Sequence, residues 1–190
     1  TERADRQDLS IMRATNPDPV VAIALADVHL SLHPPLARQG EEDWLTAMGR
    51  PWLEIAELVA ERDDDFPILC AGDVFDKWNS PAELINWAVE HLPHLYAIPG
   101  QHDLPHHNLN DIRKSAFWTL VDAGIVTQVD PEPFRLGTGL WVCGFPWSVP
   151  IAPLRVAEEK DKDNPVIVTL IHRYCWVTGA KYPGASEEAE

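Results

Sequence analysis

The chain has 190 residues, 45% of them apolar and 24% charged, a size and balance that fit one globular domain with a sizeable core and exclude a disordered or fibrous chain. Its formal net charge of −15, with no Lys/Arg cluster, weighs against a long duplex-binding groove, because phosphate backbones are held mainly by such clusters. No stretch nears the roughly eighteen consecutive apolar residues of a membrane span, and the first twenty residues lack a signal peptide's apolar centre, so a soluble, cytoplasmic protein is expected.

The run VVAIALA over 20–26 is short, continuous and β-branched at several positions, the pattern of a strand covered on both faces. Beyond a polar loop, Trp52, Ile55, Ala56 and Val59 recur at helical spacing. They predict a helix over 52–62, with Pro51 at its first turn, where a missing N–H is harmless. The segment PILCAG is the next strand. Ser80-Pro81-Ala82-Glu83 reads as a capping box with proline at the first helical position, and predicts a helix over 81–91. HLYAIPG predicts a third strand, and 111–123 a helix closed by Gly124; strands are expected near 125–129, 140–145 and 166–171.

Alternating strands and helices in the first two-thirds imply right-handed crossovers and a mostly parallel central sheet flanked by helices, an α/β class. The later strands fit either antiparallel places or a second sheet. Cys70, Cys143 and Cys175 are odd in number and lack C-x-x-C spacing, so they read as buried free thiols.

Polar residues gather where the apolar strands end. ALADVHL gives Asp27 and His29, CAGDVFD gives Asp73 and Asp76, IPGQHD gives Gln101, His102 and Asp103, and VTLIH gives His172. In an open α/β sheet the carboxyl ends of neighbouring strands line one crevice, so these loops converge. Carboxylates, imidazoles and an amide oxygen around one crevice form a mixed O/N ligand set for divalent metal. Alternation along Asp27-Val28-His29 would point both polar side chains one way and Val28 to the core.

These elements resemble the calcineurin-like metallophosphoesterases, whose pattern is D-x-H, G-D-x-x-D, G-N-H-D or G-N-H-E, a lone His, then G-H-x-H. Asp27-Val28-His29 matches the first, Gly72-Asp73-Val74-Phe75-Asp76 the second, Gly100-Gln101-His102-Asp103 the third with Gln for Asn, and His172 the fourth. The fifth is absent from these 190 residues, so the single domain over 1–190 is expected to be incomplete at its C-terminal side. GDVFD followed by Ser80-Pro81 is also similar to the nuclease subunits of double-strand-break repair complexes within that family.

The resemblance implies a layered metallophosphoesterase fold and two divalent cations, Mn²⁺ first with Fe, Zn or Ni open. Asp27 and His29 would hold the first metal, Asp73 would bridge both, and Gln101 with His172 would hold the second. His102 would act as general acid or as a donor to the transition-state oxygens, oriented by Asp103; Asp76 would support the site without binding metal. The implied substrate is a phosphate ester, a phosphodiester by the nuclease-like segments, and the acidic composition favours a nucleotide or short nucleic acid over duplex. No membrane partner is expected, and no protein partner is specified.

Blander readings compete at each position. A single aspartate at a strand end is most often a turn or helix cap, but caps do not account for three histidines at matching ends. His172 alone reads more readily as a structural residue. His106 and His107 fit a solvated loop as well as a substrate contact, and Trp78 fits core packing better than a stacking face. Gln101 and the missing G-H-x-H leave open a degenerate fold that serves as a metal- or phosphate-binding regulatory module.

Overall fold

The computed structural model describes residues 21–60, 66–137, 139–153 and 166–174. Strands β1 (Ile23–Leu25), β2 (Ile68–Cys70), β3 (Leu95–Ala97) and β4 (Val126–Gln128) form a parallel sheet in that order. Parallel neighbours need crossovers, and helices α1 (Trp44–Ala60), α2 (Ala82–His91) and α3 (Ala116–Asp122) supply them in turn. A second sheet, β5 (Phe134–Gly137), β6 (Leu140–Phe145) and β7 (Val166–Ile171), pairs β5 antiparallel and β7 parallel to β6.

Strand alternation sorts side chains into two cores. Ile68 and Cys70 of β2 face the helices, among Met48, Trp52, Leu84, Ala88, Phe117 and Leu120. Leu69, between them, faces Ile98, Val129, Val142 and Leu170 in the layer shared with the second sheet. Each such side chain withdrawn from water stabilises the fold by roughly 1.5–3 kcal/mol. The strand ends that follow are thereby fixed from both faces.

Several expectations shift. Within 20–26 only Ile23–Leu25 is strand, with Ala24 exposed, so β2 and not β1 is the strand buried on both sides. Helix α1 starts eight residues before the predicted helix and contains Pro51. Asp43 caps it, accepting from Thr46 N at 3.1 Å and Thr46 Oγ1 at 2.6 Å, and burial of Ala47, Met48 and Trp52 offsets the hydrogen bond that Pro51 cannot make.

The Ser80 capping box does not form: Pro81 is the N-cap in extended conformation, and the Ser80 hydroxyl donates to Lys77 O at 2.8 Å, closing a turn instead. The helix expected over 111–123 is two pieces, a 3₁₀ segment over Leu109–Lys114 and α3. Ser115 divides them by accepting from Trp118 N at 3.2 Å. Strand β5 was not anticipated. The thiols of Cys70 and Cys143 are free and buried, and Cys175 lies outside the described residues. No helix among the described residues is long and apolar enough to cross a membrane.

Candidate metal centre

The loop leaving β1 runs beside the loop leaving β2, continuing the parallel pairing past the strands: Asp27 N donates to Gly72 O, His29 N to Asp73 O and Leu30 N to Val74 O, at 2.9–3.0 Å. Within it Asp27, His29 and Asp73 all take left-handed backbone, with φ of 54°, 49° and 53°. Non-glycine residues in that region cost roughly 1–3 kcal/mol each and persist where the surroundings over-determine them. Asp27 and His29 therefore converge by left-handed turns and not by the alternation of an extended strand, although Val28 does pack against the core.

Asp73 lies at the centre and is 2% exposed. Its Oδ1 accepts from His102 N at 2.8 Å, while Oδ2 lies 3.2 Å from His172 Nε2 and 3.8 Å from His29 Nε2. Burial alone would raise the Asp73 pKa, but the His172 hydrogen bond, the His102 N–H and the nearby imidazoles prevail and hold it below the usual value. His172 shows the converse: burial disfavours its cation, yet the bonds to Asp73 and to Ala71 O raise its pKa. Its Nδ1–H donates to Ala71 O at 2.7 Å, which fixes the ring and turns Nε2 toward Asp73.

Two glycines make room for this packing. A Cβ at Gly100 would run into the Asp73 carboxylate and backbone nitrogen, and Gly72, at φ +103°, lies against the His172 ring. Gly100→Ala is expected to displace Asp73 and abolish metal binding in a protein that still folds, checked by circular dichroism beside metal analysis. Normal metal content in the alanine variant would contradict this close fit.

His29 Nε2 lies 3.8 Å from both Asp27 Oδ1 and Asp73 Oδ2, and its Nδ1 has no hydrogen bond, with Asp76 Oδ1 3.7 Å away. These separations exceed a hydrogen bond, yet one ion with bonds of about 2.1 Å can reach donors up to about 4.2 Å apart. The donor set thus fits a divalent cation. His29, Asp73 and His102 form one group of donor atoms within 4.8 Å of one another, and Asp27, Asp73 and His172 form another. Asp73 is common to both, but the grouping differs from the pairing of Asp27 with His29 apart from His172, and it draws His102 in among the ligand candidates. Gln101 lines the same crevice of about 270 Å³.

The hydrogen bonds of Asp103 go to backbone N–H groups and not to the His102 ring. Asp103 is fully buried and accepts from Val74 N at 3.1 Å, Phe75 N at 2.9 Å and Gly100 N at 3.0 Å, which ties the loop after β3 to the loop after β2. The His102 ring is oriented instead by Nδ1–H donation to Asp76 O at 2.9 Å. A carbonyl only accepts, so Nε2 is the nitrogen left to carry or take a moving proton. Sequence reasoning also missed Trp147, whose ring lies edge-on 6.3 Å from His172, and Arg173, both of which line the crevice. Arg173 directly follows His172, a strand-end signal already used, and Trp147 lies two residues past the end of β6.

Helices on one face of a parallel sheet, a second sheet on the other and acidic and imidazole side chains at the strand ends define a layered α/β protein with a candidate metal centre. The family model for calcineurin-like phosphoesterases matches residues 22–189, and the chain belongs to that family. Membership implies a metal-dependent phosphoester hydrolase. No curated protein matches the chain.

Proposed function

We propose that the chain hydrolyses phosphodiesters in nucleotides or short nucleic acids with two divalent cations, Mn²⁺ foremost. The observation that supports it best is Asp73, a buried carboxylate kept ionised and shared by two clusters of donor atoms. The preference for diesters rests on the nuclease-like GDVFD and DVHL segments, and the preference for small substrates on the net charge of −15.

Asp27 and His29, whose donor atoms lie 3.8 Å apart, would hold the first cation with Asp73, and Asp73, Gln101 and His172 the second; the two donor clusters, which place Asp27 with His172 and His29 with His102, are the competing assignment. When bound, such cations polarise phosphoryl oxygens and supply a water that ionises near neutral pH. The chain's own residues do the rest. Asp73 would be shared by both cations, the Ala71 carbonyl keeps His172 Nε2 turned inward, and the Asp76 carbonyl holds one proton on His102 Nδ1, so that the second proton of the imidazolium, on Nε2, is the one that passes to the leaving oxygen and leaves the neutral ring.

Metal content and hydrolysis of bis(p-nitrophenyl) phosphate with Mn²⁺, with and without chelator, test the reading. Turnover abolished by chelator is expected, whereas metal retained without turnover favours a binding module, the alternative that Gln101 in place of the family's asparagine raises. Among variants, Asp73→Asn should lose both metals, Asp27→Asn mainly the first and Gln101→Ala only the second. Two tightly bound metals and normal activity in Asp73→Asn would defeat the bridging assignment.

Proton and metal compete for His172. Its raised pKa means that the metal-free protein holds this proton more tightly than the unfolded chain does, so the pair with Asp73 stabilises it below pH 6.5 and loses that contribution as pH rises through the raised value. Metal must displace the proton. Mn²⁺ affinity is therefore expected to fall as pH drops through the His172 pKa, with proton release on binding, and the dependence should flatten in His172→Ala. Calorimetric titration in buffers of different ionisation enthalpy reads both, and a pH-independent affinity would remove His172 from the ligand set.

A further inference from the structure

We infer that the cavity beside His102 is a leaving-group subsite for a planar heteroaromatic ring, the base of a departing nucleoside; this rests on the phosphodiesterase reading above. The cavity, of about 310 Å³, shares Gln101 and His102 with the metal crevice and extends from them toward Trp78, Asn79, His106 and His107. Its volume suits a base and part of its sugar. Attack on phosphorus in line places the leaving oxygen opposite the incoming water. A group departing on the side of His102, the proposed proton donor, enters this space.

The walls suit a flat ring with polar edges. The Trp78 and His106 rings lie 6.0 Å apart and inclined at 50°, so they do not stack on each other and form a splayed pair. Trp78 is anchored by its carbonyl, which accepts from Ala116 N at 2.7 Å. His106 and His107 are consecutive residues at φ of 52° and 58°, the left-handed region that few non-glycine residues enter and that histidine tolerates better than most. The His107 Nδ1–H bond to Gln101 O, 3.1 Å, fastens this turn to the site and so holds both imidazoles at the cavity wall. Lys77 and Asp76 lie on the same walls with opposite charges, which disfavours a second phosphate. The Asn79 amide and the two imidazoles offer edge hydrogen bonds of the kind a base requires.

The test compares kcat/KM with Mn²⁺ for a thymidylyl dinucleotide and for its two abasic analogues, each lacking one base. Removing the base on the leaving side is expected to cost about tenfold or more, and removing the other base much less. Trp78→Ala should slow the parent dinucleotide about tenfold more than it slows the abasic analogue, Trp78→Phe should recover most of that difference, and the exposed His106→Ala should show it in part. Equal rates for parent and analogues in the unaltered protein, or variants that slow every substrate alike, would overturn the subsite.

Binding of adenosine against ribose to the metal-free protein, followed by ligand-observed NMR, separates the two claims. Trp78-dependent adenosine binding without diester hydrolysis would keep the subsite and sink the phosphodiesterase reading. Hydrolysis without base discrimination would do the reverse, and neither effect would sink both.

Discussion

Asp103→Ala is expected to lower the unfolding free energy of the metal-free protein by about 3–5 kcal/mol, because it leaves three buried backbone N–H groups, at Val74, Phe75 and Gly100, without an acceptor. Asp103→Asn keeps one acceptor oxygen and puts an NH₂ where an N–H now donates, so it should cost less, roughly 1–3 kcal/mol. Burial pushes the Asp103 pKa up to about 6, against the pull of its three donors. The folded protein thus binds this proton more tightly than the unfolded chain, and stability falls as pH rises from about 4 to about 6. The asparagine variant lacks that titration, so its deficit should shrink over the same window. Urea denaturation across this range measures both. An alanine variant within about 1 kcal/mol of the parent would show that Asp103 does not pin the two loops, and an asparagine deficit that grows with pH would show that the three donors outweigh burial and hold the Asp103 pKa down.

His102→Ala should keep both metals and lose about 10²- to 10⁴-fold in kcat on the proposed mechanism, as when a positioned proton donor is removed. Its Nδ1–H bond to Asp76 O commits Nε2 to the chemistry. A leaving group that needs no protonation should shrink the loss: the defect with p-nitrophenolate as leaving group is expected to be smaller than with an alkoxide of higher pKa. The approach of His102 to His29 and Asp73 supplies the competing outcome. If the alanine variant binds one metal fewer, His102 is a ligand and the proton donor lies elsewhere.

What the sequence determined by itself is local. Apolar runs marked where β2, β3 and β6 lie, since a strand covered by other layers must be apolar along its length, while β4 and β7 were marked by shorter β-branched stretches interrupted by Thr or Gln. The same runs showed that Asp27, His29, Asp73, Gln101, His102 and His172 sit at or just past strand ends. Parallel strands then oblige those ends to meet. Even Gly124 was legible as a helix stop, and it lies at φ 74°.

Only the tertiary structure decided what depends on partners distant in sequence. Pro51 falls inside α1 because contacts across the core outweigh one lost helical bond, and Ser80 serves a turn because Lys77 O lies within its reach. β5 escaped notice because it is four residues long and half exposed, too short for a period-2 pattern to register. The left-handed turns at Asp27, His29 and Asp73 came from pairing between two loops, not from local preference. Asp103 is the clearest case. Its place beside His102 in the sequence suggested that it orients that ring, yet a carboxylate takes whichever donors the fold delivers. The loop after β2 delivered the N–H groups of Val74 and Phe75, from residues 29 and 28 positions away.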